Sequence, residues 1–200
     1  MNSFIDRHVI HTRYRQAIYL SPEKALPQSV PSNLRHAAVL MPLVERHGEI
    51  HVLFTQRAAH LRHHAGQISF PGGRVELADA SSLATALREA EEEIHLPPSK
   101  VEILGPLSPF ITTTSGFFIQ PYLGFLHNYT AVRWDFNEVE TVFEVPLKFL
   151  CHTSNRKFRR VTWQGDEHDL FEYPWQEKRI WGATASMIVS FVEMLGLTTP

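Results

Sequence analysis

The chain has 200 residues, 44% of them hydrophobic and 20% charged, with a formal net charge of −2. That length suits one substantial globular domain with its own core, and the near-neutral balance offers no broad basic face for DNA or RNA. The expected partner is a small molecule, with no nucleic acid and no membrane.

A single cysteine, Cys151, cannot form an intramolecular disulfide, and the first residues lack the apolar core of a secretion signal. No apolar run reaches the roughly 20 residues that span a bilayer. The terminal Leu197-Thr198-Thr199-Pro200 is not a Ser-Lys-Leu peroxisomal address. These features together predict a protein of a bacterial cytoplasm.

Taken in chain order, residues 6–16 read as a helix, and residues 21–33, with Pro22, Pro27 and Pro31, as an extended connection. Residues 1–33 are thus expected to form an N-terminal extension and 34–200 the main domain. Strands are expected at 37–44 and 51–56 around a turn at His47-Gly48, followed by a basic segment and a short strand at 67–70. A helix follows at 81–95, with Ala84, Leu87, Ala90 and Ile94 as its apolar face. Further strands are expected at 101–107, 110–113 and 117–126, and residues 143–150 should start extended and turn helical after Pro146. A hairpin of 159–163 with 169–175 around Gln164-Gly165-Asp166 then leads to a last helix from about Ala183. The pattern is mixed α/β.

The chemistry concentrates between Phe70 and Leu96. On a helix, Glu89, Glu92 and Glu93 stand at i, i+3 and i+4, so their carboxylates share one side and suit a hard divalent cation. An acidic run of this kind is more often a solvated helix face. Here, however, Arg88 precedes it, and a turn-forming Phe70-Pro71-Gly72-Gly73 lies one loop upstream.

The segment resembles the Nudix box, whose pattern is Gly, five residues, Glu, seven residues, Arg-Glu, an aliphatic residue, any residue, Glu-Glu, any residue, Gly and an aliphatic residue. Gly73, Arg88, Glu89, Ala90, Glu92, Glu93 and Leu96 take matching places. Two departures stand out. Asp79 occupies the first acidic place with one extra residue before Arg88, leaving Glu76 as an alternative for that place, and His95 replaces the terminal glycine. Histidine or the nearby Pro97-Pro98 would have to end the helix instead. The resemblance implies a Nudix α/β/α sandwich with a mixed β-sheet.

Immediately upstream, residues 53–73 resemble the additional signature of the coenzyme A pyrophosphatase subfamily. Leu53, Thr55, Arg57, Ala58, Arg62, Gly66, Phe70, Pro71, Gly72 and Gly73 match it in type and spacing, with Phe54 in place of a leucine. Coenzyme A carries a 3′-phosphate besides its diphosphate, and Arg57 and Arg62, with His60, His63 and His64 nearby, form a basic cluster suited to phosphate oxygens. Each arginine has a blander alternative, Arg57 pairing with a structural carboxylate and Arg62 standing in a solvated loop. The histidine trio alone is a weak transition-metal signal.

The resemblance implies that Mg²⁺ or Mn²⁺, held by Glu89, Glu92 and Glu93, assists attack of water on the diphosphate of coenzyme A. The products would be 4′-phosphopantetheine and adenosine 3′,5′-bisphosphate. Glu93 or a further carboxylate would accept the water proton; Glu138 and Glu140, on the segment before Val142-Phe143, are the candidates for the latter and could equally be solvent-facing. Arg88 is expected to orient a glutamate, and Arg57, Arg62, Gly72 and Gly73 to meet the substrate. Other nucleoside diphosphate derivatives, damaged nucleoside triphosphates or a non-catalytic nucleotide-binding role are the alternatives. Trp134, Trp163, Trp175 and Trp181 are packing or interface candidates, and none is singled out for the adenine ring. The aromatic-rich C-terminal third could cover the core, line a channel or form a homodimer interface.

Overall fold

A tight turn and a split sheet set the architecture. The computed structural model describes residues 5–25, 33–112, 115–127, 133–163 and 165–200, without the side chains of Lys24, Trp163, Asp166 and His168. Strand β1 (Arg35–Arg46) turns into β2 (Glu49–Arg57) through His47 and Gly48, which have φ of 51° and 83°. Two consecutive positive φ values give the backbone twist that a two-residue hairpin needs.

The two strands pair from Arg46↔Glu49 to Leu43↔Val52 and then diverge. Into the fork go β3 (Ile68–Ser69), which pairs β2 at Thr55 and Gln56, and β4 (Gly72–Arg74), which pairs β1 at residues 37–39. The Leu40 amide donates to the Pro71 carbonyl at 2.9 Å, closing the gap between them. The Phe-Pro-Gly-Gly stretch is therefore a wedge held by backbone hydrogen bonds inside the sheet rather than a free loop.

The other edge of β1 runs parallel to β7 (Phe117–Leu126), whose outer edge carries β5 (Val101–Pro106) and β6 (Phe110–Thr112), both antiparallel. Along β2 lies β8 (Val139–Pro146), which passes at Pro146 into the short α4 (Leu147–Cys151). These eight strands form one mixed sheet. A second, three-stranded sheet has β10 (Asp166–Trp175) between β9 (Lys157–Trp163) and β11 (Lys178–Trp181).

Side-chain alternation along β1 divides the core in two. Ala38, Leu40 and Val44 join Leu53 against Ala86, Ala90 and Ile94 of α3 (Ser82–Ile94). Val39, Met41 and Leu43 join Phe54, Phe70 and Phe125 in the larger cluster on the opposite face. That cluster takes Ile10 and Tyr14 from α1 (Arg7–Leu20) and Ile188, Phe191 and Val192 from α5 (Ala183–Met194). Burial of β1 on both faces is why its sequence reads as a continuous apolar run. Helices cover both faces of the mixed sheet, as the α/β/α expectation requires.

Several boundaries differ from the sequence reading. The first helix continues past Gln16 to Leu20, because Ala17 and Ile18 still pack against the larger cluster. The connection at 21–33 is not extended throughout: α2 (Pro22–Ala25) is one helical turn begun by a proline, which a first helical position tolerates. Residues 26–32 of that expected connection lie outside the described residues, as does Thr113. Strands β4 and β11 were unexpected; each is short, and the β4 pairing rests on glycines with no apolar alternation to betray it. Among the described residues no helix is long and apolar enough to cross a membrane.

Candidate active site

The acidic helix is fastened at both ends. Ser81 caps α3, its hydroxyl accepting from the Ala84 amide at 3.1 Å, an interaction worth about 1 kcal/mol. At the other end His95 adopts the left-handed conformation, with φ 48° and ψ 40°, and the Leu96 amide returns to the Ala90 carbonyl at 3.2 Å. Histidine thus does the work of the missing glycine, at the modest strain a non-glycine residue bears there.

Between these ends the three glutamates have different surroundings. The Glu93 side chain is 3% exposed, that of Glu89 15% and that of Glu92 55%. Glu93 points into the wedge, where its Oε2 accepts from the Gly72 amide at 3.3 Å and its Oε1 lies 3.8 Å from Arg57 Nη1. Glu89 lies against Gly73, and a methyl group there would overlap its carboxylate. At Gly72 a methyl group would meet backbone, with Val39 Cα at 2.7 Å. The two glycines are therefore needed for different reasons, Gly72 to seat the wedge on β1 and Gly73 to leave room for an acid.

Burial is the main cause of the weakened acidity of Glu89 and Glu93. It pushes the Glu93 carboxyl up to about 8, with the neighbouring Glu89 charge acting the same way and Arg57 and the Gly72 amide opposing. Glu89 is likewise raised, chiefly by burial, despite Arg88 beside it. Glu138 adds to both shifts, so its charge lies within the field of the site. Its backbone carbonyl accepts from the Ala58 amide at 2.9 Å, which anchors this residue beside Arg57. Glu140, exposed on β8, has no such link to the site.

Asp79, rather than Glu76, meets Arg88. Arg88 Nε donates to Asp79 Oδ1 at 3.0 Å and Nη2 to Oδ2 at 3.2 Å. The Glu76 amide and the Thr85 hydroxyl complete the shell of Asp79, at 2.9 and 2.8 Å. Arg88 first, then the Glu76 amide, hold Asp79 well below the usual carboxylate range. Arg88 also reaches Glu92 at 2.8 Å, Glu89 at 3.1 Å and the Arg74 carbonyl at 3.3 Å. It ties the loop before α3, the helix and β4 into one unit.

Arg62 and His60, His63 and His64 are exposed on the loop between β2 and β3 and do not gather helically. His64 hydrogen-bonds Gln67 at 2.8 Å. Arg57 is different: among the described residues its buried Nε has no hydrogen-bond partner, although Glu93 lies 3.8 Å from its Nη1. An unpartnered buried guanidinium N–H is costly unless an anion or water completes it.

A divalent cation fits this donor set by its chemistry. The oxygens of Glu89 and Glu93 are hard ligands, and two partly compensated acids held close under burial are what an added positive charge would relieve. Among the described residues no three His, Cys, Asp or Glu side chains form a ready cation cage. Glu92 is engaged with Arg88 and faces outward. The sequence reading treated these three glutamates alike, whereas they differ in burial and in partners. It also missed Thr85 and Asp135: the Asp135 amide donates to the Glu93 carbonyl at 3.0 Å, and neither residue stands out in a sequence pattern.

Comparison with known proteins accords with this geometry. The family profile described as NUDIX domain matches residues 34–169. The chain belongs to the Nudix family. It is 40% identical over 162 residues to the uncharacterized Nudix hydrolase NudL of Photorhabdus laumondii, covering 81% of this chain and 86% of that one. It is also 40% identical over 165 residues to the protein of the same name from Escherichia coli K12, covering 82% and 85%. Among solved structures, a MutT/nudix family protein from Enterococcus faecalis matches with a TM-score of 0.50 at 15% identity, over 90% of this chain and 64% of that one, a likeness of fold alone. As a Nudix hydrolase, the protein is an enzyme of a family that generally uses divalent metals such as Mg²⁺ or Mn²⁺ and acts on small nucleotide substrates.

Proposed function

We propose that this Nudix hydrolase cleaves the diphosphate bond of coenzyme A or a close derivative, with water as the second substrate. The products are 4′-phosphopantetheine and adenosine 3′,5′-bisphosphate. The observation that carries this reading is Arg57: it belongs to the signature preceding the box, lies beside Glu93, and has a buried N–H without a partner among the described residues. A phosphate oxygen would satisfy that N–H by a charge-assisted hydrogen bond.

In this reading Glu89, Glu92 and Glu93 hold the cation, which supplies charge neutralisation at the diphosphate and acidifies a bound water. The chain's own groups do the rest. Glu93, its carboxyl ionised when the cation is bound, accepts the proton of the attacking water, with Glu138 as an additional carboxylate able to relay it. Arg88 keeps Glu89 and Glu92 oriented while Asp79 fixes Arg88. Gly72 seats the wedge on β1 and Gly73 leaves room for the Glu89 carboxylate, so the two glycines support the acids that face the substrate. Arg57 meets the diphosphate, and Arg62, exposed at the rim, is suited to the 3′-phosphate that distinguishes coenzyme A from ordinary nucleoside diphosphates.

The test is turnover of coenzyme A against dephospho-coenzyme A and ADP-ribose with Mg²⁺ or Mn²⁺, with products identified by mass. Preference for coenzyme A with release of 4′-phosphopantetheine is expected. Equal use of dephospho-coenzyme A would remove the role of Arg62, and cleavage of ADP-ribose alone would replace the substrate.

A further inference from the structure

One aromatic side chain near the carboxylates has no task in the scheme above. Phe136 is 74% exposed, on the turn that leads into β8. An isolated exposed phenylalanine needs no explanation in general, but this one is held in place by an unusual number of fastenings. The Asp135 amide donates to the Glu93 carbonyl at 3.0 Å, and the Glu138 and Val139 amides return to the Asp135 carbonyl at 3.0 and 2.8 Å. The Asp135 carboxylate accepts from both the backbone and side-chain nitrogens of Asn137, at 2.9 and 2.8 Å. Beyond the turn, the Glu138 carbonyl accepts from Ala58, the neighbour of Arg57.

The turn is thus bolted to the catalytic helix at one end and to the arginine strand at the other, with Phe136 between. Behind it stands Trp134, whose ring centroid lies 5.5 Å away at an interplanar angle of 59°. Trp134 packs against the core cluster of α3, and its buried indole nitrogen has no hydrogen-bond partner among the described residues. The tryptophan therefore acts as a fixed backing for the phenyl ring rather than as a binding surface itself. Glu138, two residues on, contributes to the field at Glu89 and Glu93. A flat apolar ring on a turn tied to the backbone of Glu93, exposed, backed, and two residues from Glu138, has the properties of a platform for a planar ring of the substrate.

We propose that Phe136 is a specificity-determining residue that stacks on the purine base of the substrate, with Trp134 positioning it. The assignment deepens the coenzyme A reading and rests on it for the identity of the base as adenine. It accounts for a part of the substrate that the arginines and glutamates leave uncontacted. Stacking of a base on an aromatic side chain acts mainly on binding, so its loss should appear in KM rather than kcat.

The experiment compares the parent with Phe136→Ala and Phe136→Trp on coenzyme A and on an analogue in which hydrogen replaces adenine. The alanine variant is expected to raise KM for coenzyme A about tenfold or more with kcat nearly retained, and to lose most of the parent's preference for coenzyme A over the abasic analogue. Phe136→Trp should restore KM, and its added fluorescence should be quenched by adenosine 3′,5′-bisphosphate but not by ribose 5-phosphate. A preference for the base that survives in the alanine variant would overturn the proposal, as would an added tryptophan blind to the nucleotide. Should the parent not cleave coenzyme A at all, the substrate reading falls, while quenching by the nucleotide still decides whether Phe136 receives a base.

Discussion

The two ends of the acidic system treat charge in opposite ways. Around Asp79 and Arg88 every charge has a close partner: two hydrogen bonds between them, the Thr85 hydroxyl and Glu76 amide on the acid, and Glu89, Glu92 and the Arg74 carbonyl on the base. Around Glu93 the carboxylate is more deeply buried, yet among the described residues it has only one amide at 3.3 Å and an arginine at 3.8 Å. A saturated network fixes geometry, whereas an under-compensated one stores an electrostatic demand that a ligand can meet. On the proposed function the first end is a latch and the second a reaction centre, although Arg88 and Glu93 lie on the same helix.

The sharpest way to break this contrast is to neutralise the reaction centre. Glu93→Gln keeps the shape and the possibility of a hydrogen bond with Gly72 but removes the charge and the proton acceptor. Turnover in steady-state assays is expected to fall by about 10²- to 10⁴-fold, while the metal-free protein melts no lower than the parent above pH 8. A variant that retained turnover with intact folding would move the role of base to Glu138.

Disturbing the latch should cost less activity and more order. Arg88→Lys keeps the positive charge but loses the planar fork that grips both oxygens of Asp79 while reaching Glu92. Activity is expected to drop about 10- to 100-fold, the range typical of residues that orient ligands without touching substrate. The melting temperature should fall with it, in contrast to Glu93→Gln. Kinetics and thermal melting of the two variants, measured side by side, separate the two ends directly.

Much of this was legible in the sequence because its physics is local. Helix α3 declares itself through Ser81, the apolar stripe and the acidic run, and β7 through a ten-residue apolar stretch, found where expected. What stayed hidden depends on contacts between segments far apart in the chain. Nothing near Gly72 announces that its amide will meet a carboxylate 21 residues later, or that the stretch forms a strand in a fork of the sheet. The choice of Asp79 over Glu76 is settled by a turn in which one donates its amide to the other. Likewise, three glutamates at helical spacing look equivalent until the wedge covers one of them and leaves another half in solvent.

The smallest effect expected also tests the comparison most specifically, because the two ends should respond to pH with opposite signs. Asp79 is held below its unfolded value, so its contribution to stability is present above about pH 4 and is lost as the pH falls through its depressed native value. Glu93 is raised from an unfolded value near 4.5 to about 8. Between those limits the native protein keeps a proton that the unfolded chain has released, so metal-free stability declines as the pH rises and levels off above about 8. The decline has an upper limit of about 1.4 kcal/mol per pH unit. Melting curves of the metal-free protein from pH 2 to 9 should show this fall on the alkaline side, and Glu93→Gln should reduce it while leaving the acid-side loss intact. Added Mg²⁺ or Mn²⁺ should raise the melting temperature more at pH 8 than at pH 6, since at the lower pH the cation must displace the proton on Glu93. A metal-induced shift independent of pH would mean that the cation is held without Glu93, and would detach the buried glutamate from metal binding.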